Sequence, residues 1–264
     1  MLTLQGACRD VLLTAEAAAK AQAARDLARS WRAGALAPGD PVELPDRPAR
    51  PPRPLLALPR AVPKRKVNAA PAGRIALLHA LAHIELNAID LALDLLARFG
   101  RATLPRAFFD DWVRVADEEG LHFLLLAGRL AELGAAYGDL PAHDGLWQAA
   151  EVTAGDLLAR LAVVPLVLEA RGLDVTPAMI ERLRDAGDGA SAELLAVIYR
   201  DEIGHVAIGR RWFDHLAGER GLEPEQAWVA LVRRHFKGVL KPPFNHAARA
   251  EAGLRQASYE ALVR

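Results

Sequence analysis

Six residues of two types, glutamate and histidine, occur in this 264-residue sequence at spacings that suit metal binding. In the segments DEEGLH and YRDEIGH a glutamate precedes a histidine by three residues, and two more glutamates stand in apolar segments. Residues three apart on a helix lie on the same face, so each Glu-x-x-His pair offers a carboxylate and an imidazole to one ion. The candidate ligands are Glu85, Glu119, His122, Glu169, Glu202 and His205.

The glutamates of this set fall on the apolar faces of predicted helices. With an advance of about 100° per residue, Glu202 shares a face with Leu195 and Phe213, and Glu119 shares one with Trp112. Four carboxylates turned toward a core need a compensating partner, because each bare anion would cost several kcal/mol to bury. Two other glutamates lie among apolar residues in the same way: Glu85 and Glu169.

The spacing of the candidate ligands repeats along the chain. Glu119 follows Glu85 by 34 residues (119 − 85), and Glu202 follows Glu169 by 33 (202 − 169). Each pair fits a helix with one glutamate, a short turn, and a helix with Glu-x-x-His. We therefore expect a helical hairpin and a near-copy of it, related by an approximate two-fold axis.

Two divalent cations would balance the charge of four carboxylates, and two neutral imidazoles would complete the coordination. Carboxylate bundles that bind two iron or manganese ions use this set of four glutamates and two histidines. The alternative is a chance group of carboxylates at the edge of the core, held in ordinary salt bridges. Hard oxygen and imidazole ligands favour two iron ions, with Mn/Fe or Mn/Mn as the other pairs.

Three neighbouring residues are candidates for supporting roles at this site. Glu118 and Asp201 each precede a motif glutamate and could accept the outer ring N–H of the histidine on the opposite helix. The alternative interpretation is that each is a solvated acid in a salt bridge. Tyr199 lies about 60° from Glu202 around the helix, close enough to line the site, with plain core packing as its alternative.

The chain resembles the ferritin-like superfamily and, more closely, an uncharacterised bacterial family of ferritin-like proteins related to the di-iron hydroxylase that modifies a tRNA base. Besides the ligand motifs, the segments HALAHIELNAIDLALD and PPFNHAARAEAG carry this resemblance. It implies a four-helix bundle and an oxygen-activating centre. One metal would be bound by the first three ligands and the other by the last three, with Glu119 and Glu202 as the bridging candidates.

Composition places the chain among globular proteins. Its 33 basic and 33 acidic residues give no net charge, which argues against a general polyanion binder. The single cysteine, Cys8, excludes an intramolecular disulfide. No secretion signal begins the sequence, and no apolar run approaches the roughly 20 residues that span a bilayer. We expect a cytoplasmic protein without a membrane partner.

The pattern of apolar residues predicts an all-α protein: a ferritin-like four-helix bundle with an extra N-terminal helix, a Pro-rich arm and a C-terminal helical extension. The predicted domains are 1–70 (helix and arm), 71–220 (bundle) and 221–264 (extension packed on the bundle). The arm, residues 38–63, is expected to lie on the domain surface, with VPKRK (62–66) as a basic turn. Helices are predicted at about 4–31, 72–99, 105–134, 144–172, 177–186, 190–218 and 224–236.

Two local features have open interpretations. Pro165, one turn before Glu169, should remove a backbone hydrogen bond and bend its helix, and this bend either opens the bundle near the metals or is a packing accident. His79 and His83 lie on the face of their helix away from Glu85, where polar contacts with the arm compete with an accessory metal or substrate role.

Three classes of function fit these observations. The first is an oxygen-activating oxidoreductase or hydroxylase acting on an unknown organic substrate, with a small molecule or a modified nucleotide as the substrate class and an external electron donor. The second is an iron-handling ferroxidase or metal-binding protein. The third is a non-enzymatic helical scaffold with a structural di-metal site. A homodimer is compatible with all three.

Overall fold

The structure, a computed structural model, describes residues 2–57, 62 and 70–263. In this part of the chain the regular structure is helical, and extended pairing is confined to isolated β-bridges. The all-α prediction is therefore confirmed. The chain divides into two compact units: unit 1 is Met1–Trp147 with Asp185–Asp188, and unit 2 is Gln148–Arg184 with Gly189–Arg264. The predicted domain boundaries at 70 and 220 stay a prediction.

Unit 1 is built on two long helices that pack against each other, α3 and α4, with α1 on α3 and α2 on α4. Gly120 lets α2 and α4 approach closely, because a Cβ at this position would lie 2.8 Å from the carbonyl oxygen of Ala21. The next helix, α5, begins in this unit. The bounds are α1 Leu4–Leu12, α2 Ala17–Arg32, α3 Pro71–Phe99, α4 Arg106–Glu132 and α5 Gly145–Val152.

The single N-terminal helix predicted over residues 4–31 is wrong, because the chain breaks between α1 and α2. At the break the Thr14 hydroxyl donates to the Asp10 carbonyl oxygen at 3.2 Å. The Glu16 carboxylate then accepts from the backbone N–H of Ala18 at 3.0 Å and from that of Ala19, which caps α2. Side chains that compete with the backbone for hydrogen bonds thus end one helix and start the next.

The Pro-rich arm lies on unit 1, as expected. Backbone N–H groups of Val42 and Ala49 donate to carbonyl oxygens of α3 and α1, at 3.2 and 2.9 Å. Farther along, the Ala57 N–H donates to the Ala142 carbonyl at 2.7 Å. The predicted basic turn VPKRK lies outside the described residues except for Val62.

Helix α3 is long and apolar enough to cross a membrane by length and composition, which departs from the sequence-based expectation. However, 78% of its most apolar 18-residue window is buried. Such burial is what the core helix of a soluble domain shows. The amphipathic pattern is weak here because α3 is covered by other helices around most of its circumference.

Unit 2 is also helical, but its first half differs from the predicted helix over 144–172. The chain breaks after α5 and restarts when the Asp156 carboxylate caps α6, accepting from Leu158 N–H at 3.0 Å. A π-helical turn, Val164–Glu169, then leads into α7. Of the helices that follow, α9 packs against α6 and α8, α10 packs against α8, and α11 packs against α9 and α10. The bounds are α6 Leu157–Val163, α7 Ala170–Asp185, α8 Gly189–Glu219, α9 Pro224–His235, α10 His246–Glu251 and α11 Gln256–Glu260.

The predicted end at Gly172 and restart at Thr176–Pro177 are also wrong, because α7 runs through both positions. A proline inside a helix leaves the carbonyl four residues earlier without its usual donor. That carbonyl belongs to Leu173, and Asn245 Nδ2 donates to it at 3.2 Å. The Asn245 side chain, 72 residues after Leu173, therefore replaces the backbone N–H that Pro177 lacks.

Candidate metal centre

Unit 1 brings three of the predicted ligands together. Glu85 comes from α3, and Glu119 and His122 come from consecutive turns of α4. His122 Nδ1 lies 3.3 Å from Oε2 of Glu85 and 3.6 Å from Oε2 of Glu119. One ligand atom from each residue lies within 4.8 Å of the others, and the three residues are at most 3% exposed. This spacing is short enough for the three atoms to bind one cation.

Burial makes the cluster electrostatically unfavourable without a cation. Burial and, after it, the negative charge of Glu119 raise the pKa of Glu85 from 4.5 to about 8, against the opposing effect of His122. Glu85 Oε2 is buried and makes no hydrogen bond of normal geometry within the described part of the chain. An oxygen in this position is suited to coordinate a metal ion, because a divalent cation would stabilise the ionised carboxylate.

Unit 2 carries the other three predicted ligands. His205 is fully buried on α8, and its Nδ1 lies 3.8 Å from Oε1 of Glu202, one turn earlier on the same face. The Glu202 side chain is 15% exposed. Glu169 is half-buried at the last position of the π-helical turn, which packs against α8. Each unit thus holds one glutamate from one helical segment and a Glu-x-x-His pair from another.

The π-helical turn is where the predicted effect of Pro165 is seen. The proline stands at the start of the turn, and Glu169 is its final residue. π-Helical turns insert an extra residue into a helix and occur frequently at functional sites. On α8, Gly209 faces the Pro165 ring with no side chain between them. The proline therefore gives a π-helical turn that sets the rotation of Glu169, rather than a simple bend.

Comparison with known proteins identifies the family. A model of the family described as "Protein of unknown function (DUF455)" matches residues 13–260, a range that includes both sets of ligands. The chain belongs to this family.

A relative from Haemophilus influenzae (strain ATCC 51907 / DSM 11121 / KW20 / Rd), described as "Uncharacterized protein", is 46% identical over 213 residues. The alignment covers 79% of this chain and 74% of the relative. No solved structure matches the chain. Neither comparison shows a ferritin-like or tRNA hydroxylase family, so that resemblance stays a prediction.

The residues predicted to support the metal site make other contacts in the structure. Glu118 accepts from Arg114 Nε at 2.8 Å in an ion pair along α4, as its alternative interpretation expects. Asp201 is half-buried on α8. The hydroxyl oxygen of Tyr199 accepts from Asn245 Nδ2 at 2.9 Å, so Tyr199 contacts the C-terminal segment. Roles of these residues at a metal stay predictions.

The C-terminal segment is fastened to α7 by a buried ion pair. Arg249 donates to both carboxylate oxygens of Asp174, from Nε at 2.8 Å and from Nη2 at 2.7 Å. Its guanidinium lies 4.9 Å from the ring centroid of Phe244 and 4.7 Å from that of Tyr259. Residues of the PPFNHAAR segment therefore pack against α7, the helix that begins directly after Glu169, and help to position it within unit 2.

Among the described residues, the hydrogen bonds of the His79 and His83 rings go to the loop of residues 137–143. His79 Nε2 accepts from Gly138 N–H at 2.9 Å. His83 Nε2 donates to the His143 carbonyl oxygen at 3.1 Å, and its Nδ1 then accepts from the Tyr137 hydroxyl at 2.8 Å. Burial lowers the pKa of His83 to about 4, which keeps the imidazole neutral. Both ring nitrogens of His83 are therefore occupied.

A buried charge network on α3 was missed by reasoning from the sequence. Lys20 Nζ lies 2.7 Å from Oδ1 of Asp90, and Arg50 Nη2 lies 2.6 Å from Oδ2. Lys20 and Asp90 are fully buried, and Lys20 also donates to the Ala49 carbonyl at 2.7 Å. The sequence did contain a signal for it: Asp90 and Lys20 stand on otherwise apolar helix faces, and Arg50 in the arm could pair with the aspartate.

Proposed function

We propose that this protein is a di-metal carboxylate protein with a ferritin-like four-helix bundle, and that it acts as an oxygen-activating oxidoreductase on an organic substrate. In this proposal Glu85, Glu119 and His122 bind one iron ion, and Glu169, Glu202 and His205 bind the other. The observation that carries it is the buried cluster in unit 1, where two carboxylates and an imidazole meet within 4.8 Å.

The ligand types support iron. Carboxylate oxygens and imidazole nitrogens are hard or borderline ligands that suit Fe and Mn, and the site has no thiolate, since the chain's one cysteine is Cys8 on α1. When bound, a pair of reduced iron ions supplies the electrons that activate O2.

The chain's own residues would hold the ions and keep water out. His122 must be neutral to bind a metal, and its Nδ1 is the ligand atom because this nitrogen faces the two carboxylates. Burial of Glu85, Glu119 and His122 limits access of water and strengthens every charge interaction inside. An organic substrate and an external electron donor complete the proposed reaction.

Metal content is the first test. Protein produced with iron and manganese in the medium should contain about two ions per chain, the number expected of bundles with this ligand set. Glu119→Gln should lower the content strongly, whereas Glu132→Gln should not, because Glu132 is an exposed acid at the end of α4. One zinc ion per chain, or none of any metal, would exclude the proposed centre.

Reaction with O2 separates the proposed activity from its alternatives. When the anaerobic Fe(II) form is exposed to O2, we expect a single-turnover absorption change from an oxidised di-iron species. Repeated oxidation of added Fe(II), with Fe(III) retained by an assembly, would instead indicate an iron-handling protein. A Fe(II) form inert to O2 that unfolds when iron is removed would indicate a structural site.

A further inference from the structure

A cavity of about 250 Å³ in unit 1 lies outside the proposed metal centre. It is enclosed by the Pro-rich arm, the 137–143 loop and α3, and His83 contributes the lining from α3. His83 lies about 160° around α3 from Glu85, so the cavity is on the other face of that helix. A ligand here would not touch the candidate metal ligands of unit 1.

One wall of the cavity is cationic. Arg50 lines it, and the Arg50 guanidinium shares the single carboxylate of Asp90 with Lys20, so two basic groups compete for one negative charge. Arg47, which also lines the cavity, is paired with Asp144. Burial raises the pKa of Tyr137, which keeps its hydroxyl uncharged and adds no negative charge to the lining. An anion beside Arg50 would complete the charge balance of this network.

The other walls are flat and apolar. Trp147 is 3% exposed and held in place because its indole N–H donates to the Asp46 carbonyl oxygen at 3.2 Å. Tyr137 also lines the cavity, together with Leu56 and three prolines of the arm. Aromatic and proline surfaces favour planar partners, and the volume is below the roughly 300–1,000 Å³ of drug-sized sites. The space suits a single ring with a small substituent.

We infer that this cavity is a binding site for a small planar monoanion of the aromatic carboxylate class, with the carboxylate at Arg50 and the ring between Trp147 and Tyr137. The site is separate from the proposed metal centre and does not depend on it. A small aromatic acid bound in this cavity would contact the arm directly, through Arg50 and Leu56.

Isothermal titration calorimetry with benzoate as the probe tests this inference. Benzoate should bind saturably, and benzamide, the uncharged analogue, should bind at least about tenfold more weakly, because it loses a charge-assisted interaction. Arg50 itself is a poor target, since its replacement would disturb Asp90. Leu56→Trp should fill the cavity instead and weaken benzoate binding by at least about tenfold.

Matched variants make the outcome decisive. Leu55→Trp adds the same bulk at the neighbouring residue, which is 68% exposed and outside the cavity, and should leave binding unchanged. Glu119→Gln should also leave it unchanged, which separates this site from benzoate coordination by a metal. The inference is overturned by absence of saturable binding, by equal affinity for benzamide, by unchanged affinity in Leu56→Trp, or by loss of binding in Glu119→Gln.

Discussion

Gly209 on α8 lies directly against the ring of Pro165, so that a Cβ at position 209 would come within 2.4 Å of the proline Cβ. Real Cβ atoms do not approach other atoms this closely, and proline cannot rotate away. The contact therefore fixes the π-helical turn against the helix that carries Glu202 and His205. Because Glu169 ends that turn, the glycine and the proline together set where its carboxylate points.

Gly209→Ala should consequently displace the turn and misplace Glu169. We expect a lower melting temperature and loss of about half of the bound metal, since one of the two proposed ions depends on Glu169. Differential scanning calorimetry and metal analysis measure the two effects. Gly218→Ala is the control, because a Cβ there meets nothing within 4 Å and alanine favours helix. Equal metal content in both variants would show that the contact does not position a ligand.

The metal-free protein should become less stable as pH rises from about 4.5 to about 8. Glu85 has a pKa of about 8 when folded and 4.5 as its ordinary value, so the native state holds the proton over this interval and the unfolded chain does not. Urea unfolding at several pH values measures the slope. Glu85→Gln should flatten it and raise stability at pH 8, whereas Glu132→Gln should keep the wild-type slope. A wild-type slope of the opposite sign would contradict the burial argument.

Asp90→Ala should destabilise the fold without removing a metal ligand. The substitution leaves Lys20 buried without its carboxylate partner, and breaking a buried ion pair in this way costs about 3–5 kcal/mol. Denaturant titration measures the loss. Glu132→Ala removes an exposed partner of Arg129, which keeps its ion pair with Asp188, and should change stability by only about 0–1 kcal/mol. The folded fraction of Asp90→Ala should retain its metal; if it does not, α3 binds metal through a different face.

Arg249→Lys should loosen the C-terminal segment from α7. Lysine keeps the charge but cannot donate two parallel hydrogen bonds to Asp174. We expect faster cleavage in the 237–245 region during limited proteolysis, followed by mass spectrometry. Arg255→Lys, at a side chain that is 76% exposed, should leave the cleavage rate unchanged. Identical rates for the two variants would show that the ion pair does not fasten the segment.

Long helices with a regular apolar pattern could be predicted closely from the sequence. The helix predicted over residues 72–99 is observed as Pro71–Phe99, and the helix predicted over 190–218 is observed as Gly189–Glu219. The Glu-x-x-His spacing also indicated which side chains share a face, and in unit 1 the structure brings Glu85, Glu119 and His122 together. These features depend on local periodicity, which the sequence contains.

Features that depend on distant partners could not be predicted. Pro177 suggested a helix start, but Asn245 supplies the missing donor and lets α7 continue. The break between α1 and α2 has a local cause instead: the Glu16 side chain caps α2 by accepting from the backbone N–H groups of Ala18 and Ala19, which the apolar pattern does not show. The charge network on α3 needs Arg50 from the arm, whose path over unit 1 is set by hydrogen bonds that no periodicity encodes.

The hydrogen bond from Asn245 to Leu173 also constrains the order in which the chain can fold during synthesis. A helix that contains Pro177 has a gap in its backbone ladder until residue 245 has left the ribosome. Unit 2 therefore cannot reach its full stability before its C-terminal segment has been synthesised. Unit 1 is made of Met1–Trp147 and Asp185–Asp188, so all of its residues are synthesised before residue 245.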